Sequence, residues 1–348
     1  MPQFKIEKDK FKQFFSTLLD EYTVFAPVEV EGISSFSKVK SAEELISIYH
    51  NSDKPPKEIF FPQTQTMFNY DRDGIKIPEQ KEKPIAIWGL RSCDLRSFLM
   101  LDKVFGIPGQ LPGREDYEDP YWKEKFKDKL IFSLACNNPL STCFCNWFGS
   151  GPFDKEGSDL FVVDIDNAFV IEGCSKKGVK FLSKLENSDL LIKAPDEDLK
   201  QTEVLKSNAE ALLNPPVDLS PLNEKLKKIW NESIWEEISN KCLNCAACTY
   251  FCPTCHCFDI QDEGREDTGK RVRIWDSCMF PLFTQEASGH NPRPTSKDRL
   301  RQRIMHKFSY FVDNYSEMAC VGCGRCIQIC PVNLDIRETL KQIMDYKF

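Results

Sequence analysis

The chain has 348 residues, with 46 Lys and Arg against 53 Asp and Glu, for a net charge of −7. Hydrophobic residues make up 41% and aromatic residues 12%, which supports packed cores and excludes a largely disordered chain. The length predicts two domains, and the acidic balance argues against a globally basic nucleic-acid binder.

The opening segment MPQFKIEKDKFKQFF is charged and has no apolar h-region of a signal peptide. No stretch reaches the ~18 uninterrupted apolar residues of a membrane helix. A cytoplasmic protein is expected, attached to other structures only through partner subunits.

In chain order, residues 7–20 read as a helix by apolar spacing. Residues 22–28 (YTVFAPV), 58–62 (EIFFP) and 84–88 (PIAIW) read as strands. Residues 94–105 (DLRSFLMLDKVF) return to helical spacing, and 130–135 (LIFSLA) and 160–165 (LFVVDI) are again strand-like. Interleaved strands and helices predict a mixed α/β domain over residues 1–211.

The Pro-bearing stretch LLNPPVDLSP begins a linker at 212–222. A helix follows from about Asn223 to Asn240, with Leu226, Ile229, Trp230, Ile234, Trp235 and Ile238 at helical spacing. LDIRETLKQIMDYKF closes the chain as a terminal helix. The fold class expected is α+β, with the mixed α/β domain followed by a helical, ferredoxin-like domain over 223–348.

Sixteen cysteines are present. A secreted disulfide scaffold fails on length, on the missing signal and on the two- and three-residue spacings. CLNCAACTYFCP (242–253) and CVGCGRCIQICP (320–331) form an internal repeat, separated by a 67-residue insertion at 253–319. Each run is C-x2-C-x2-C-x3-C-P, the spacing of bacterial two-cluster ferredoxins. Three thiolates wrap one cubane and the fourth Cys of each run ligates the other cluster.

The expected ligands are Cys242, Cys245, Cys248 and Cys330 for the first [4Fe–4S] cluster. Cys320, Cys323, Cys326 and Cys252 form the second set. Zinc usually takes two C-x2-C pairs rather than two four-Cys runs. With four thiolates each, neither cluster keeps an open position, which suits electron transfer and assigns no catalytic residue.

Four further cysteines, Cys93, Cys136, Cys143 and Cys145, lie near predicted strand ends, where open α/β sheets build their sites. They suffice for a third [4Fe–4S] cluster; zinc or plain buried thiols are the alternatives. Cys143 and Cys145 would diverge on a regular strand, so both reach one centre only if STCFCNW is irregular. Cys174 reads as structural. Cys255, Cys257 and Cys278 lack a clear fourth partner and read as buried thiols or part of a metal site.

Residues 291–307 carry six Lys or Arg and one acid. They read as a docking surface, as charge compensation for anionic clusters, or as a solvated helix face. No G-x-G-x-x-G, P-loop or H-E-x-x-H motif supports a nucleotide site in this chain.

GLRSCD, ACNNPLSTCFC, CPTCHCFD, RIWDSC, NPRPTSKDRLRQRIMHKFSYF and CVGCGRCIQICPVNLDI follow in this order. Over about residues 20–340 the chain resembles the family that unites the dicluster electron-transfer protein of anaerobic sulfite reductase with the sulfhydrogenase beta subunit. The NPRPT stretch favours the hydrogenase-linked branch. The resemblance implies a partner subunit carrying FAD, a [2Fe–2S] cluster and the NAD(P)H site, together with a terminal reductase or hydrogenase, as in heterodisulfide-reductase-type complexes. The leading function is an electron relay between them. A self-contained iron–sulfur reductase with a substrate site in the N-terminal domain is the alternative, and a cluster-bearing regulatory or nucleic-acid protein a third reading.

Overall fold

A computed structural model describes residues 2–46, 50–78, 83–106, 118–186 and 188–347. Twelve strands occur among them: β1 Gln3–Glu7, β2 Thr23–Val30, β3 Ile33–Lys38, β4 Thr64–Asp71, β5 Gly74–Lys76, β6 Ile85–Leu90, β7 Leu130–Leu134, β8 Leu160–Asp164, β9 Ala168–Gly173, β10 Ile192–Lys193, β11 Phe258–Arg265 and β12 Thr268–Trp275. Eight form one sheet in the order β10-β1-β9-β8-β7-β6-β2-β3. The central neighbours β2–β6, β6–β7 and β7–β8 are parallel, and the flanking pairs are antiparallel.

The central strands are nearly continuous apolar runs because both of their faces are buried. Their alternation sorts the cores. Ala86, Trp88, Leu130 and Phe132 face the helix Phe11–Glu21, packing with Phe14, Phe15 and Leu18. Ile85, Ile87 and Ile131 face the other way, towards Leu95, Phe98 and Phe105 of the helix Ser92–Phe105 and Trp122 of the helix Pro120–Lys127. Gly89, at φ +89°, interrupts the register between Trp88 and Leu90 and turns Leu90 to this second face. The sheet is therefore the middle of a three-layer α/β arrangement.

Two expected elements differ. Residues 58–62 are not a strand: Pro56–Ile59 forms a 3-10 turn, since two prolines preset its first turn. Phe60 and Phe61 then point inward, Phe60 against Phe98 and Phe126, Phe61 against Trp275. The helix expected from Asn223 to Asn240 is two, Leu222–Lys228 and Ile234–Ser239. The Trp235 indole N–H donates to the Ile229 carbonyl at 2.7 Å, which satisfies the first helix's end and fixes the break. Ile336–Asp345 forms the terminal helix.

Within the 253–319 insertion, β11 and β12 make a hairpin, and β12 pairs antiparallel with β4 from the first hundred residues. The second sheet has the order β11-β12-β4-β5. The two halves of the chain interlock elsewhere as well. Phe144, Trp147 and Phe148 pack into the C-terminal core with Leu226, Trp235, Ile304 and Phe308. Val217, Leu219 and Leu222 join the same core, so the Pro-bearing stretch lies packed rather than free.

Candidate iron–sulfur centres

The two cysteine runs share a backbone as well as a spacing. Asn244 and Gly322 occupy equivalent places and have φ of +56° and +62°. Ala246 and Gly324, equivalent again, have φ of +63° and +77°. A short helix carries each run's third Cys, Ala247–Tyr250 in the first and Arg325–Gln328 in the second. Left-handed residues at two places in six bend each loop around a common centre. The Asn244 N–H points to the Cys242 sulfur at 3.4 Å, as the Gly322 N–H does to Cys320.

Cys242, Cys245, Cys248 and Cys330 line one cavity, walled by Met279, Leu300 and Ile336. Cys326 reaches the same cavity from the neighbouring run, and Arg303 from the helix Ser296–Met305. Cys245 is exposed, and Leu243 beside it is 65% exposed, so this centre lies at the surface. Cys252, Cys320 and Cys323 are buried. Burial pushes the Cys320 thiol up to about 12, so cations must offset the thiolate form a ligand needs. Lys307 supplies one, donating to the Cys252 sulfur at 3.2 Å.

Cys93, Cys136, Cys143 and Cys145, the candidate third set, line a separate cavity together with His50, Arg91 and Cys323. Cys93 opens the helix after β6, and Cys136 follows β7 at the carboxyl edge of the parallel strands. The loop carrying the other two is irregular: Phe144 has φ −154° and ψ +39°, and Cys145 begins a 3-10 turn. Burial pushes the Cys143 and Cys145 thiols up to about 12. Phe144 donates its N–H to the Gly322 carbonyl at 2.8 Å, seating this loop on the second run. Cys174 stands apart, just after β9, packed against the core cluster that includes Phe161, Val163 and Val170.

Two insertion thiols, Cys257 and Cys278, pair with each other, and the third pairs with Cys252 of the first run. Cys255 hydrogen-bonds Cys252. The Cys278 thiol hydrogen-bonds Cys257 and holds its thiol down to about 7. Lys57, which sequence reading missed, is buried here and donates to the Cys255 carbonyl at 2.8 Å. Nothing local marks it, since Glu58, in the same turn and nearer Phe60 and Phe61, is exposed.

Among the described residues, no three His, Cys, Asp or Glu side chains gather in the manner of a single-ion site. The first and N-terminal thiol sets line cavities instead, the arrangement a multi-atom cage requires. Arg303 tests the fit. Its Nε and Nη2 are buried without a hydrogen-bond partner, and it faces Cys248 and Cys326. Cluster sulfur would supply the missing acceptors.

Residues 241–334 match the 4Fe-4S dicluster domain family. Over 342 residues the chain is 30% identical to the sulfhydrogenase 2 subunit beta of Pyrococcus furiosus, covering 98% of each chain. No solved structure matches. Among the described residues no helix is long and apolar enough to cross a membrane. A dicluster domain that takes in both cysteine runs, within a relative matched from end to end, places the chain in the sulfhydrogenase beta-subunit family, with the role of iron–sulfur electron transfer.

Proposed function

We propose that the chain relays electrons between a flavin subunit with FAD, a [2Fe–2S] cluster and an NAD(P)H site, and a terminal reductase or hydrogenase. Cys242, Cys245, Cys248 and Cys330 would hold one [4Fe–4S] cluster. Cys252, Cys320, Cys323 and Cys326 would hold a second, and Cys93, Cys136, Cys143 and Cys145 a third. These groups supply one-electron transfer.

The observation that carries the reading is the sharing of walls. Cys326 of the second set lines the cavity of the first, and Cys323 of the same set lines that of the third. The second set, mostly buried, thus lies between an exposed centre and one at the sheet edge. That is the order a relay between two docked partners needs. The domain division we propose is 1–211, 212–222 and 223–348, with the second sheet clasping the first part to the last.

Anaerobic purification with identification of the co-purifying subunits tests this. The isolated chain is expected to accept electrons from a reduced viologen and to oxidise no NAD(P)H. Oxidation of NAD(P)H by the chain alone would overturn it. One observation favours the self-contained reductase: a cavity of about 340 Å³ at the carboxyl edge of the parallel strands, bounded by Trp88, Phe169, Asn137 and Asp164, shares His50 and Arg91 with the cavity of the third thiol set. Turnover of a small oxidant by the isolated chain would support that reading instead.

A further inference from the structure

The basic segment 291–307 does not present its cations to solvent alone. Arg299, Arg303 and Lys307 recur at every fourth residue and are only 8%, 3% and 4% exposed. The helix Ser296–Met305 runs into a π-helical turn at His306–Tyr310, which carries Lys307. Arg299 is satisfied in part by the Arg293 and Pro294 carbonyls. Arg303 and Lys307 face the thiols. Arg303 lines one cavity with Cys248 of the first set and Cys326 of the second, and its Nε and Nη2 are unpartnered. Lys307 donates to the Cys252 sulfur at 3.2 Å, to the Thr254 hydroxyl at 2.9 Å and to the Ala319 carbonyl at 3.0 Å.

Neither cation forms an ion pair with a carboxylate among the described residues. The contrast is Arg325, beside Cys323, whose charge is matched by Asp94. A buried cation without an anion is costly, and the groups that face these two are cysteine thiols, which thiolate ligation of a cluster would make negative.

We propose that Arg303 and Lys307 form a buried cation bridge that raises the reduction potential of the second cluster and makes it the resting place of the transferred electron. The inference rests on the relay reading. Reduction of this centre adds one electron drawn from a neighbouring centre, with no bond broken and no proton moved. The added negative charge is favoured by a nearby positive one, and a donor to a ligand sulfur acts in the same direction. Burial alone disfavours the added charge and lowers the potential. A water-poor interior, however, strengthens attraction across one hydrogen bond several-fold over the same contact at the exposed first centre. The cations therefore decide the order. Arg303, between the two sets, raises both; Lys307 raises the second alone.

The test is a redox titration followed by paramagnetic resonance, with iron analysis, on the full chain. The second centre's signal is identified as the one Cys320→Ser perturbs. Lys307→Met is expected to keep its iron and to shift that signal to lower potential by at least a tenfold change in the reduction equilibrium, about 59 mV for one electron. Lys307→Arg should restore most of the shift. Arg303→Met should lower the first and second centres together. Full iron with unmoved potentials would overturn the proposal, because a merely structural role changes loading and leaves potential alone. In the unmutated protein the second centre must be reduced before the first. The reverse order overturns the proposal even if the Met variants fail to fold. A chain with fewer than the iron of two cubanes would instead sink the relay reading, so the two failures are distinct.

Discussion

Arg325 and Asp94 form a buried two-pronged ion pair, with contacts of 2.6 and 2.9 Å, joining the second cysteine run to the helix that carries Cys93. Arg325 also donates to the carbonyl and hydroxyl of Ser52. Two candidate centres are thereby held in one frame. Asp94→Leu leaves the guanidinium buried and uncompensated, and is expected to cost about 3–5 kcal/mol in denaturant unfolding. Asp94→Leu combined with Arg325→Met should recover much of that loss. Equal instability of the single and double variants would show that the pair is not what the site depends on.

Metal content separates the candidate centres. Anaerobic analysis should find about eight iron and eight sulfide per chain from the two runs, and about twelve with the third centre. Single Ser replacements of Cys93, Cys136, Cys143 or Cys145 should each lose the same four iron, to the same extent. Cys174→Ser should lose none, since Cys174 lies away from that cavity. Stoichiometric zinc would refute the assignment.

Crossed ligation predicts crossed damage. Cys252→Ser should perturb the centre held by Cys320, Cys323 and Cys326. Cys330→Ser should perturb the one held by Cys242, Cys245 and Cys248, whose cavity it lines. Paramagnetic spectra of the two variants distinguish this from damage confined to each mutation's own run.

The repeat makes one glycine testable against its counterpart. Gly322 has φ +62°, and a Cβ there would run into the Phe144 carbonyl. Gly322→Ala should cost about 2 kcal/mol or more and disturb the second and third centres together. Asn244→Gly, at the matching place in the first run, should cost less than about 1 kcal/mol, because it relaxes the backbone and loses chiefly the 2.8 Å bond to the Ser296 hydroxyl. Unfolding midpoints and the visible spectrum report both.

Acid should destabilise the insertion through two histidines. The His256 and His306 rings meet edge to face at 5.4 Å, and burial holds them down at about 4 and about 3, against 6.5 for a free ring. They stay neutral in the folded chain while the unfolded chain takes up protons. Their stabilising effect is complete above pH 6.5 and falls as pH drops from 6.5 towards 4. His306→Phe should flatten that decline between pH 7 and 5 in urea titrations; an unchanged slope would assign the effect elsewhere.

Much of the architecture is legible in the sequence. The strands at 84–88, 130–135 and 160–165 read clearly because they are buried on both faces and nearly free of polar residues. EIFFP misleads because its aromatics mimic a strand, while the preceding prolines impose a turn. The hairpin at 258–275 escapes such a reading because β11 is almost wholly exposed and polar, so its pairing, not its composition, makes it a strand. For the centres, spacing alone singles out the candidate thiols. It does not separate Arg303 and Lys307 from the rest of a basic helix, since nothing local distinguishes a solvated arginine from a buried one. Nor does it pair Arg325 with Asp94, which stand far apart in sequence.

The clasp between β12 and β4 bears on how the chain is made. Gly269 pairs with Tyr70, about 200 residues earlier, so the β4 edge stays bare until the hairpin leaves the ribosome. At about 5–20 residues per second, that interval is on the order of ten seconds or more. An open strand edge is a template for pairing with other chains, and a nascent chain with vacant thiols is exposed to oxidation as well. A fragment that stops before Phe258 keeps that edge permanently. Production of the protein should therefore respond to chaperone supply and to anaerobic conditions during synthesis, not only during purification.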